Sequence, residues 1–240
     1  MFETSNAIQY SEIWESESQS FESHSVYKRL AQDIPLERVL EVGCGIGNGT
    51  KHLAEGRAVL ALDNNEHLIA KASARLKEAG QSAQIHHCDL FELNDEDLKV
   101  IADFQPKVVV AWFIGSHGDD INAHTVGEPN VFEKAKLYRE HIEDIVVSPK
   151  VSVDSVEIIN LVSRGGLATS ASDAQIFESQ KADYDEHVFG PVGFEVYDVK
   201  VSRWDRTGST FLYGQAHNPN FAGGETTQVI TSIFARRKTS

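Results

Sequence analysis

The sequence has little cysteine, few cationic residues and no long apolar run, and each shortage removes a class of protein. Two cysteines in 240 residues, Cys44 and Cys88, cannot form a disulfide scaffold, so a reduced, cytoplasmic compartment is the expectation. Lys plus Arg number 22 against 36 Asp plus Glu, a formal net charge of −14. A field of that sign repels phosphate backbones and anionic lipid, so neither nucleic acid nor membrane is expected as a partner. The one dense basic cluster, Arg236-Arg237-Lys238, is too short to change this. The longest apolar run, Val108 to Ile114, has the length of a strand and falls far below the roughly 20 residues that span a bilayer. The start, Met1-Phe2-Glu3-Thr4, has neither a basic region nor an apolar one, and no signal peptide is expected. No internal repeat or low-complexity tract interrupts the chain.

What remains has a globular balance, 41% hydrophobic and 24% charged, enough to bury a core. The first thirty-odd residues are polar and helix-compatible, in two stretches, Gln9 to Glu17 and Phe21 to Asp33. Their aromatics (Tyr10, Trp14, Phe21, Tyr27) follow a loose helical period. Strands and helices then alternate. Strands are expected at Arg38–Val42, Ala58–Leu62, Ala83–Cys88 and Lys107–Phe113. Helices are expected from the glycine turn to Ala54, at Glu66–Ala79 with Gly80 as its stop, and at Asp95–Ala102. That spacing indicates βαβ units and a parallel sheet. Gly115 to Asn130 reads as a long loop and Val131 to Val147 as a helix. Asp154 to Arg164 can be read as a strand through Val156-Glu157-Ile158-Ile159 or as a helix stopped by Gly165-Gly166; the helix is preferred, with Leu167–Ser170 as a short fifth strand. A helix at Ser172–His187 and strands at Gly193–Trp204 and Thr226–Ala235 follow, the last two separated by an insertion over 205–225.

The decisive segment is Glu41-Val42-Gly43-Cys44-Gly45-Ile46-Gly47-Asn48-Gly49-Thr50, after a strand and opening a helix. Glycines there permit positive φ and let a ligand approach the backbone. A P-loop requires Gly-Lys-Ser/Thr at its end, which is missing. The G-x-G-x-x-G dinucleotide pattern fails in both registers, ending on Asn48 or Thr50. The pattern that fits is E-x-G-x-G-x-G. In this the chain resembles the class I S-adenosylmethionine-dependent methyltransferases, strongly to Phe113 and loosely beyond, where Ile159 to Gly166 looks like a family helix and Gly193-Phe194-Glu195-Val196 like the entry to the sixth strand.

The resemblance implies a Rossmann-like, doubly wound seven-stranded sheet, mostly parallel with an antiparallel last strand and flanked by helices. It implies a methyltransferase domain over 36–240 with insertions at about 115–147 and 205–225, preceded by a helical lid over 1–35. It implies S-adenosylmethionine as cofactor, a sulfonium cation with an ammonium group and no phosphate, which suits acids near the turn. Glu41, Gly43, Gly45 and Gly47 would form the cradle. Asp63, twenty residues beyond Gly43, would accept the ribose hydroxyls, with Asn64 beside it. Asp89 would take the adenine amino group, Leu90 would flank the ring, and Trp112 would lie at the end of the fourth strand. His117, just past that strand, is the candidate base if the acceptor must lose a proton.

The expected activity is methyl transfer to oxygen or nitrogen of a small-molecule acceptor. The alternatives are a protein or RNA methyltransferase and a non-catalytic S-adenosylmethionine-binding regulator. No metal is expected: in His86-His87-Cys88-Asp89, neighbours on a strand point to opposite faces and cannot converge on one ion. Cys44 reads as a small filler in the turn. Asn218-Pro219-Asn220-Phe221 faintly resembles an amino-methylating motif but reads as loop.

Overall fold

The computed structural model describes residues 5–207, 209 and 225–239. Most of the 205–225 insertion, including Asn218 to Phe221, therefore lies outside the described residues. Seven strands form one sheet, β1 (Val39–Val42), β2 (Val59–Asp63), β3 (Gln84–His87), β4 (Val108–Trp112), β5 (Ile158–Ala168), β6 (Phe194–Arg203) and β7 (Thr226–Arg237). Their spatial order is β3-β2-β1-β4-β5-β7-β6. Strands β1 to β5 are parallel and β7 runs antiparallel between β5 and β6. This is the Rossmann-like, mostly parallel seven-stranded arrangement expected.

Parallel strands covered on both faces are apolar throughout, and β4, Val-Val-Val-Ala-Trp, is buried at every position. Alternation along the strands sorts their side chains into two cores. Val39, Ala61, Val110 and Trp112 face the helices α1 (Ala7–Ser23), α2 (Val26–Gln32), α3 (Asn48–Leu53) and α4 (Glu66–Glu78). Leu40, Leu62, Val109 and Ala111 face α5 (Asp95–Phe104) and α7 (Val131–Val147). Helix α4 shows why these segments are helical. Asn65 caps it by accepting from His67 and Leu68 N–H, and Leu68, Ala72 and Leu76 form one buried stripe.

Three sequence expectations change. The two N-terminal stretches become one long α1 and a short α2, divided at His24-Ser25 where Ser25 takes φ 56°. The loop at 115–130 contains a helix, α6 (Gly118–His124), whose seven residues are too few to show a period. Asp154 to Arg164 is not a helix. Residues from Ile158 onward form β5, and Gly165-Gly166 do not stop it but pair with Val229 and Gln228. Its ladder with β7 runs from Ile158 to Ala168 while its other edge pairs with β4, and these long-range partners outweigh local propensity. The remaining helix, α8 (Asp173–Tyr184), is followed by a wide turn over Asp185–Phe189 that leads towards β6.

A polar knot fixes the centre. Trp112 donates its indole N–H to Asn160 Oδ1 at 2.7 Å, and Asn160 Nδ2 donates to Ser232 Oγ at 2.9 Å and Ile233 O at 3.1 Å. Asn160 is fully buried, so Asn160→Leu strands the indole donor and should cost about 1–3 kcal/mol. Denaturant unfolding checks this, the midpoint falling with no change of slope; an unmoved midpoint shows the knot to be energetically idle.

Candidate cofactor-binding site

In this order the chain reverses direction across the sheet between β1 and β4, and ligands of such sheets bind beyond the strand ends at that point. A cleft lies there. Its rim is built by the glycine turn after β1, the ends of β2 and β3, and the segment following β4.

The turn is held in left-handed backbone, with φ 74° at Gly43, 54° at Gly45 and 80° at Gly47. Asp63 ties it to β2, since its carboxylate accepts from Gly45 N–H at 2.8 Å and from Asn65 N–H at 2.9 Å. Burial pushes the Asp63 carboxyl up to about 6, with these two donors pulling it back. Each carboxylate oxygen keeps a further lone pair for a ligand hydroxyl.

The predicted residues divide into two sets. Gly43, Gly45, Asp63 and Asn64 line the cleft, as do Asp89, Leu90 and Trp112. Glu41 and Gly47 do not line it and stand behind it. Gly47 caps α3 and packs on α4, where an added Cβ would lie 2.9 Å from Ala72 Cα. Glu41 is buried beneath the turn, and its Oε2 has no hydrogen-bond partner among the described residues. Burial, reinforced by the Asp63 charge, pushes its carboxyl up to about 8. One unpaired oxygen on a buried acid is a local cost, which the neutral form of the carboxyl reduces.

His117 is placed elsewhere. It does not line the cleft, and its Nδ1 accepts from Asp120 N–H at 3.2 Å as the cap of α6. The cleft holds instead Ser116 and Tyr138, the latter from α7. Tyr138 donates to Asp120 Oδ2 at 2.5 Å, and His124 Nδ1 stands 3.2 Å from Asp120 Oδ1. Phe91 stacks on His124 with ring centroids 3.9 Å apart. Tyr138, His124 and Phe91 were not legible in the sequence, because α6 and α7 converge on the strand ends only in the folded chain.

Helix α1 completes the wall with Tyr10 and Trp14. It is docked by Asn65 Nδ2 on Ala7 O at 2.9 Å, Asn48 Nδ2 on Ser18 O at 3.1 Å and Lys71 Nζ on Glu15 at 2.8 Å. Arg164 of β5 sits 5.5 Å from the Trp14 ring centroid and 3.6 Å from the carboxylate of the buried Glu17. The Trp14 indole rests on the glycine turn so closely that a Cβ on Gly45 would lie 2.5 Å from Nε1.

The chemistry of this lining is selective. Two carboxylates, glycine backbone and aromatic faces form it, and no Lys or Arg is among the described lining residues. A phosphate-bearing nucleotide finds no counter-charge there, whereas a cationic nucleoside with ribose hydroxyls does. The residues present therefore fit S-adenosylmethionine.

Comparison with known proteins agrees. Residues 39–112 match the family described as the methyltransferase domain. A 23S rRNA (uracil(1939)-C(5))-methyltransferase RlmD of Cupriavidus necator is 34% identical over 79 residues, 32% of this chain. The match spans 18% of that relative's length. Among solved structures, magnesium protoporphyrin IX methyltransferase of Synechocystis PCC 6803 with bound SAH covers 98% of this chain and 89% of its own, at 16% identity and TM-score 0.48. TrmN of Thermus thermophilus covers 89% of this chain and 48% of its own, at 15% identity and TM-score 0.48. Residues 39–112, which hold the glycine turn and strands β1 to β4, are thus similar to the methyltransferase domain family, and they sit in a Rossmann-like sheet.

Proposed function

We propose that the protein transfers a methyl group from S-adenosylmethionine to a small-molecule acceptor, at oxygen or nitrogen. The observation that carries this reading is the cover over the cleft. Helix α1 places Tyr10 and Trp14 across the turn, so an acceptor reaching the space beside Phe113, Ser116 and Tyr138 is enclosed. In this reading α1 has to be displaced before a base within an RNA helix or a folded protein can enter that space. In this reading residues 1–35 act as a lid that excludes water from the reacting groups. The net charge of −14 also disfavours a polyanionic acceptor.

Bound S-adenosylmethionine supplies an activated methyl group, and the transfer is an in-line displacement at carbon. The chain's task is alignment and desolvation. Gly43, Gly45 and Asp63 hold the amino-acid and ribose parts, and Asp89 with Leu90 the adenine. Tyr138 and Asp120 replace His117 as the route for an acceptor proton. The proton passes to Tyr138 Oη as the tyrosine proton moves along the 2.5 Å hydrogen bond to Asp120 Oδ2.

Methyl-labelled S-adenosylmethionine offered together with a metabolite extract and ribosomal RNA tests the reading. Label is expected in a low-mass product. Label in RNA or protein overturns the small-molecule assignment, and tight cofactor binding with no labelled product favours a regulator. The rRNA relatives of the matched segment make the RNA arm necessary.

Cofactor affinity should also depend on pH. Ribose hydroxyls donate to ionised Asp63, so binding favours the deprotonated carboxylate and lowers its pKa. Below about 6, where free Asp63 takes up a proton, affinity should fall by up to about tenfold per pH unit. Titrations from about pH 8 down to pH 5 should show this for wild type and a flat profile for Asp63→Asn; a flat wild-type profile removes Asp63 from the ribose site.

A further inference from the structure

At the part of the cleft wall formed by Cys88, the fold gathers three donors that the reading above leaves unused. His86 in β3 and Cys88 just past its end are two residues apart, and Cys88 N–H still donates to Asp63 O of β2 at 3.1 Å, so the alternation of extended chain puts the two on one face. Asp97, at the start of α5, meets them there. The donor atoms of the three residues lie within 4.8 Å of one another. The expectation from adjacent residues of His86-His87-Cys88-Asp89 holds for neighbours, but it overlooks the next-but-one pair and a third donor 9 residues further along.

We propose that His86, Cys88 and Asp97 form a binding site for a divalent cation of borderline softness, with Zn²⁺ the fitting ion. Four observations support it. The donors are one imidazole nitrogen, one sulfur and one carboxylate oxygen, a mixture that suits Zn²⁺ and not the all-oxygen shells of Mg²⁺ or Ca²⁺. Cys88 and Asp97 are buried, at 6% and 4% exposure, and His86 is partly open, which leaves a route and a fourth position for water. The carboxylate is already oriented, because Asn94 N–H donates to Asp97 Oδ2 at 3.0 Å while Oδ1 faces His86. The space needed is modest. Tetrahedral Zn²⁺ with bonds of about 2.0–2.3 Å sets its ligands about 3.3–3.8 Å apart. The His86 Nε2 to Asp97 Oδ1 contact must therefore open from 2.6 Å, while all the donor atoms already lie within 4.8 Å of one another.

The competing reading of the same trio is a Cys-His-Asp nucleophile. Cys88 is buried with the Asp97 carboxylate beside it, surroundings opposite to the electropositive, exposed ones of an activated nucleophile. A bound ion would clip the end of β3 to the start of α5. The next residue, Asp89, lines the cleft, so the ion would brace the turn that presents it.

Co²⁺ reports such a site independently of any activity or acceptor. The full, untagged chain is stripped with chelator and titrated with Co²⁺. Thiolate-to-cobalt charge-transfer absorption in the near-ultraviolet and strong visible bands of a tetrahedral ion are expected, both bleached by one equivalent of Zn²⁺. Cys88→Ala should abolish the near-ultraviolet band and Cys44→Ala should keep it. His86→Gln, at a partly exposed edge position, should weaken Co²⁺ binding by about tenfold or more, with circular dichroism confirming that each variant is folded. No band in the folded wild type, a band that survives Cys88→Ala, or equal affinity in His86→Gln overturns the proposal. Each outcome leaves the cofactor reading untouched, since S-adenosylmethionine titration is read separately.

Discussion

Asp63→Ala should weaken S-adenosylmethionine binding by about 1.5–3 kcal/mol for each charge-assisted hydrogen bond lost, and two ribose hydroxyls are available to it. One bond at the upper figure is about a 150-fold change in dissociation constant, and two take binding out of the useful range. The effect is compounded because Asp63 also organises the site. Its oxygens accept from Gly45 and Asn65 N–H, so alanine leaves the turn and the cap of α4 without their shared acceptor. The contributions separate by comparison with Asp63→Asn, which keeps an acceptor oxygen and loses the charge. Calorimetric titration with S-adenosylmethionine and its demethylated product, alongside thermal unfolding, makes the distinction. An unchanged affinity in the folded alanine variant would reject the ribose role.

Gly47→Ala should act on the fold first. At φ 80° an L-residue costs about 1–2 kcal/mol, and the added Cβ meets Ala72 Cα at 2.9 Å and Ala72 Cβ at 3.0 Å. Helix backbone cannot swing aside as a side chain does, so α3 and α4 must separate, an overpacking cost of about 1–3 kcal/mol. The sum, about 2–5 kcal/mol, is a large part of the stability of an ordinary domain. Gly45→Ala is the instructive contrast. Its Cβ meets the Trp14 indole, which can move with α1, so the loss should appear in cofactor affinity more than in unfolding. Denaturant midpoints and cofactor titrations of the two variants should rank them in opposite order; the same order for both would mean that α1 is as rigid a neighbour as α4.

The readable parts of the site share one physical property. The glycine turn, Asp63 and Asp89 are each placed by the strand directly before them, so local pattern suffices to set seven of the nine cofactor positions on the cleft wall. Glu41 and Gly47 belong to the same motif, but which side of the turn they occupy depends on α4 packing against it. His117 illustrates the opposite limit. Its place after β4 suggested a base, yet whether a loop imidazole faces a cavity or caps a helix is decided by α6, which is too short to be seen in sequence.

Sequence alone determined the alternating βαβ order, the glycine motif that fits neither phosphate-binding pattern and the acids that suit a cation, because these are encoded within a few residues of one another. Tertiary structure alone decided β5 over a helix, since Gly165-Gly166 are read correctly only against their partners on β7. It alone brought Tyr10, Trp14 and Tyr138 to one cleft, with Asp120 hydrogen-bonded to Tyr138, and His86, Cys88 and Asp97 to one point. Those meetings join segments far apart in the chain, and only packing against the common sheet holds them within reach.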